Sequence, residues 1–66
     1  MKNKIKVYRA MQNITQEELA VRLRVTRRTI NSIEGDKYNP SIELAFRIAR
    51  LFEVPVEEMF SLDEEH

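Results

Sequence analysis

Apolar residues recur at helical spacing in five short stretches of the chain, and polar residues interrupt the pattern between them. Ile5, Tyr8 and Met11 (or Val7) predict a first helix over about residues 3–12, which Asn13 ends. Thr15 is placed to cap a second helix, and Glu18 three residues on completes a capping box. Ile14 stands before that cap, in position to staple onto Leu19, and Leu19, Ala20 and Leu23 form the inward stripe. After Arg24 and Val25, Thr26 caps a third helix with Ile30 and Ile33 inward and Gly35 near its end. Ser41 caps a fourth, with Glu43 in its first turn and Leu44, Ala45, Ile48, Leu51 and Phe52 as its stripe. Val54-Pro55 opens a short fifth helix anchored by Met59 and Phe60. No stretch alternates long enough to demand a strand, and residues from about Ser61 on are expected to fray. The expected fold is all-α: one compact five-helix domain spanning residues 1–66, folded over about 3–60, with an acidic tail at 61–66.

A chain of 66 residues allows one domain and a small core. It has no cysteine, which removes disulfide staples and thiolate metal sites and fits a reducing interior. No apolar run approaches the ~20 residues that span a bilayer. The basic start Met1-Lys2-Asn3-Lys4-Ile5-Lys6 lacks the apolar stretch of a signal peptide, so the cytoplasm is the expected location.

A net charge of zero argues at first against nucleic acid, but the distribution reverses that impression. Residues 1–20 carry +2, residues 21–50 carry +4 and residues 51–66 carry −6. A phosphate backbone senses the near face of such a dipolar molecule, because salt screens charges beyond ~8–10 Å.

The second and third helices are separated by three or four residues, so two short helices must cross steeply to bury their stripes. With Ile30 and Ile33 inward, the third helix turns Arg27, Arg28, Asn31 and Ser32 outward, with Thr29 on the flank. Arg bonds guanine O6 and N7 in bidentate fashion, and Asn does the same to adenine N6 and N7. Two cations at a helix N-terminus oppose its dipole by a few tenths of a kcal/mol each, against what stability alone would choose. Solvated surface charge accounts equally well for Arg27 and Arg28 on helix chemistry alone.

The whole chain adds a further argument. Ile5-Lys6-x-Tyr8-Arg9, Thr15-Gln16-Glu17-Glu18-Leu19-Ala20, Val25-Thr26-Arg27-Arg28-Thr29-Ile30-Asn31-Ser32-Ile33-Glu34, Asn39-Pro40-Ser41, Leu44, Ile48-Ala49 and Phe52 follow in order without a gap. In these residues the chain resembles the lambda-repressor-like helix-turn-helix family, which includes the phage 434 repressor and Cro and many small bacterial and archaeal regulators. The resemblance implies five helices, the third lying in the major groove of double-stranded DNA. Carried onto this chain, it makes Arg27, Arg28, Asn31 and Ser32 the base readers. Gln16, Thr26, Thr29, Lys37, Tyr38 and Asn39 become phosphate ligands. Arg9 and Glu34 are implied to form a half-buried ion pair joining the first helix to the end of the third. One residue departs from the pattern: the family usually has Gly, with left-handed backbone, where this chain has Arg24, at a cost of ~1 kcal/mol.

Family members usually act as two-fold dimers on palindromic sites, with half-sites about 34 Å apart. Val54, Pro55, Val56, Met59, Phe60 and Leu62 are the expected dimer surface, some of them doubling as core caps. The expected function is a sequence-specific transcription regulator, a repressor in the simplest case. The alternative is a protein-interaction module on the same fold, as in antitoxins and bridging factors. An enzyme is not expected: the lone His66 is terminal, and Glu17 and Glu18 are explained by capping. Nor is any cofactor, metal or small-molecule effector.

Overall fold

The computed structural model describes residues 1–62; Asp63, Glu64, Glu65 and His66 of the expected tail lie outside the described residues. The elements run β1 (Lys2–Asn3), α1 (Ile5–Gln12), α2 (Gln16–Leu23), α3 (Arg27–Glu34), α4 (Ile42–Leu51), α5 (Val56–Met59) and β2 (Phe60–Ser61). The fold is all-α in architecture, with one short strand pair added. Ile5, Leu19, Ile30, Ile33, Ile48 and Met59 are the largest fully enclosed side chains and meet at its centre.

The helix starts follow from local chemistry. The Thr15 side chain accepts from the Glu18 N–H at 3.0 Å, and the Glu18 carboxylate accepts from the Thr15 N–H at 2.9 Å, closing the capping box. Thr26 and Ser41 accept from the N–H groups of Thr29 and Leu44 in the same way. The helix ends share one geometry, which the sequence signalled only at Arg24, through the family resemblance. Asn13, Arg24, Asp36 and Glu53 all have φ near +60° and follow α1, α2, α3 and α4 in turn. The next N–H in each case (Ile14, Val25, Lys37, Val54) bonds the carbonyl five residues back, at 3.0 Å. This is the Schellman ending, made four times without glycine. Gly35 itself has φ −85°, so the left-handed residue after α3 is Asp36 rather than the expected glycine.

Two further expectations change. The chain does not fray at Ser61: β1 and β2 pair antiparallel, Lys2 with Ser61 and Asn3 with Phe60, and the Lys4 N–H reaches the Met59 carbonyl at 2.9 Å. A two-residue strand carries no periodicity to read, and it shortens α1 to begin at Ile5. In α1, only Ile5 is buried and Tyr8 half-buried; Met11 and Val7 face solvent, because the following turns cover only one side of so short a helix.

Candidate DNA-binding face

The turn between α2 and α3 comprises Arg24, Val25 and Thr26. Arg24 takes φ 61° and ψ 43°, and its N–H is shared between the carbonyls of Ala20 and Val21. Val25 is half-buried against the core. Arg47 of α4 donates Nη2 to the Leu23 carbonyl at 2.6 Å and so holds the end of α2. This geometry sets α3 with Ile30 and Ile33 buried and Arg27, Arg28 and Asn31 exposed.

Gln16, Arg27, Arg28 and Asn31 line one shallow cavity of about 300 Å³. Four of the residues picked out from the sequence are therefore brought together on one open face. Ser32 is only half-exposed, at the edge of that face. Thr26 and Thr29 lie at the N-terminus of α3, their hydroxyls 2.9 Å apart, with Thr26 already capping the helix. Lys37, Tyr38 and Asn39 are exposed in the loop after α3, where the N-terminal amine donates to Asn39 Oδ1 at 3.3 Å.

Behind the face lies an ion pair. Arg9 Nε meets Glu34 Oε2 at 2.6 Å and Arg9 Nη2 meets Oε1 at 3.2 Å, while Arg9 Nη1 donates to the Ile14 carbonyl at 2.9 Å. The side chains are 16% and 3% exposed. Gln16 joins the group: its Nε2 donates to Glu34 Oε1 at 2.9 Å and to Asn31 Oδ1 at 3.3 Å. A residue expected only to meet phosphate thus also bridges the ion pair to a base-reading candidate.

Asn3 was not singled out from the sequence, yet it supports the far end of α3. Its Nδ2 donates to the Ile33 carbonyl at 2.8 Å and to Asp36 Oδ1 at 3.1 Å, and its Oδ1 accepts from the Ile5 N–H at 3.1 Å. The readable signal was an Asn two residues before a helix, a position that favours such side-chain turns.

A family model described as helix-turn-helix matches residues 5–59. The chain belongs to the helix-turn-helix family, of the lambda-repressor-like kind. The match runs from the first residue of α1 to the last of α5, so this helix-turn-helix domain takes in every helix described here. An HTH-type transcriptional regulator of Methanocaldococcus jannaschii is 52% identical over 65 residues, 98% of each chain. One from Archaeoglobus fulgidus is 52% identical over 65 residues, 98% of this chain and 92% of that one. YgzD of Bacillus subtilis, an HTH-type transcriptional regulator, is 42% identical over 66 residues and the whole of both chains. The helix-turn-helix family is a DNA-binding, non-enzymatic one. No helix among the described residues is long and apolar enough to cross a membrane.

The expected dimer residues divide. Met59 and Phe60 are 1% and 6% exposed and belong to the core of the single chain, because β2 folds Phe60 back under β1. They are therefore corrected from surface to core. Val54, Pro55 and Val56 line a shallow cavity of about 370 Å³ together with Phe46, Ala49, Arg50 and Glu57, and Leu62 is exposed. Ile42 and Phe46, one helical turn apart on α4, are also exposed. They fall outside the Leu44–Ala45–Ile48 stripe, a surplus visible in the sequence as apolar residues beyond what one inward face can hold.

Proposed function

We propose that this chain is a sequence-specific repressor of transcription that reads the major groove with α3 as a homodimer on a palindromic operator. The observation that carries the reading is the exposure of Arg27, Arg28 and Asn31 on one face of a helix that follows a three-residue turn, with Gln16 beside them. Arg27 and Arg28 supply bidentate donors for guanine, and Asn31 and Ser32 read adjoining base edges. Gln16, Thr26, Thr29, Lys37, Tyr38 and Asn39 hold the flanking backbone, which sets register rather than sequence.

A second copy is the partner best suited to the α4–α5 face. Phe46, 58% exposed, lines a hollow together with Ala49, Val54, Pro55 and Val56. A two-fold axis places each Phe46 in the other chain's hollow, and Arg50 and Glu57 on its rim supply opposite charges for the pairing. Repression follows most simply, since a dimer covering two half-sites excludes other proteins from that stretch and needs no further surface.

Selection of bound sequences from random duplex DNA tests the reading. Two half-sites about 34 Å apart are expected. Affinity should fall steeply with salt, and Arg28→Ala should abolish the sequence preference. Recovery of no enriched sequence overturns it. Fused to a promoter, the selected site should lower reporter transcription when the protein is present; a rise overturns repression.

A further inference from the structure

We infer that Glu34, although it touches no DNA in the reading above, sets the base preference of the recognition helix by fixing the amide orientation of Asn31 through Gln16. A carboxylate accepts hydrogen bonds and donates none. Glu34 is 3% exposed on its side chain and accepts from Arg9 Nε, Arg9 Nη2 and Gln16 Nε2. It therefore obliges Gln16 to turn its NH2 group inward, because the reverse orientation sets two oxygens against each other. That NH2 group has two hydrogens. One lies on Glu34 Oε1 at 2.9 Å and the other on Asn31 Oδ1 at 3.3 Å.

The second bond passes the constraint outward. With its oxygen held by Gln16, Asn31 has one amide orientation, and its NH2 is left for the open face shared with Arg27 and Arg28. An Asn free to turn over presents donor and acceptor interchangeably, and so discriminates poorly between base edges that differ in the order of those groups. The half-buried ion pair, usually a matter of stability, becomes the fixed reference for a polar relay that runs Arg9, Glu34, Gln16, Asn31. Gln16 is a positioning residue here, in addition to any bond it makes to phosphate.

The inference rests on the groove-reading role proposed for α3, and the experiment separates the two. Random duplex DNA is selected with the unaltered chain, with Gln16→Ala, with Asn31→Ala and with both changes, each first shown by melting to be folded. The expected result is that Gln16→Ala and Asn31→Ala relax preference at the same single base pair. Discrimination there should drop from about fivefold or more to under about twofold, with other positions unchanged. The double variant should relax that base pair no further. If Gln16→Ala instead weakens all sequences alike and lowers the salt slope by about one, Gln16 is a phosphate contact alone and the relay is overturned. Relaxation at many positions, or at none, overturns it as well. If the unaltered chain enriches no sequence, the groove-reading role itself fails and the relay falls with it.

Discussion

Glu34 accepts three hydrogen bonds while almost wholly enclosed, two from Arg9 and one from Gln16. Removing Arg9 strands a buried carboxylate, at a cost of about 3–5 kcal/mol. In a domain of this size Arg9→Ala should lower Tm by more than about 10 °C; a melting curve that barely moves refutes the pairing. Arg24 offers the opposite case. Its φ of 61° is a strained choice for a side-chain-bearing residue, so Arg24→Gly exchanges that strain for chain entropy. A net gain of about 0.5 kcal/mol is expected from thermal melts, accompanied by a salt slope lower by about one only if the guanidinium meets phosphate. Arg9 and Glu34 were legible because a family pattern singles out both positions. Asn3 was legible only in part: its place two residues before a helix announces the bond from the Ile5 N–H, but nothing beside it in sequence announces the two that reach Ile33 and Asp36.

At the level of elements, the starts of helices were far easier to read than their ends. Thr15, Thr26 and Ser41 cap through their own side chains, a property of the residue itself. The ends depend on backbone geometry that Asn13, Arg24, Asp36 and Glu53 adopt in place of glycine, with only the apolar residue after three of them as a sign. The strand pair left no sign, because two residues cannot alternate. Capping also makes α2 sensitive to acid. The Thr15 N–H, then the Thr15 hydroxyl, and more weakly the charge of Arg22 hold the Glu18 carboxyl below its usual value, against a small opposing effect of desolvation. The folded pKa is lowered, so the stabilisation is complete above the unfolded value and is lost as pH falls through the folded one. Glu18→Gln should flatten the acid limb of a melting-temperature profile across that range; an unchanged limb counts against the box. At α3, Thr26→Ala should cost about 1 kcal/mol and weaken binding to all DNA sequences alike, through the frayed helix start and the lost phosphate contact.

For the whole molecule, the five-helix order and the face that α3 exposes could be read from apolar spacing, while the division of the C-terminal apolar residues could not. Met59 and Phe60 look like their neighbours Val54 and Val56 in sequence, but the turn into β2 buries the first pair and leaves the second half-exposed. Phe46 is therefore the better probe of self-association. Phe46→Glu should leave Tm within a few degrees and shift sedimentation toward the monomer; a chain that is monomeric before the change removes the two-fold reading. Variants at Met59 or Phe60 report on folding instead.

The β1–β2 pair joins residues from opposite ends of the described chain, and it carries Asn3, the brace for the Ile33 carbonyl near the end of α3. Lys2 and Ser61 are the most distant residues the fold pairs among those described, so closing this pair carries a large loop entropy and is expected late in folding. A late closure leaves the end of α3 without its Asn3 brace until then. In hydrogen exchange, the Lys4 amide bonded to Met59 should open well before those of α2, and each opening releases the end of the reader while the core stands. On the groove-reading role proposed for α3, a chain interrupted short of that closure has its helices but presents an unbraced α3.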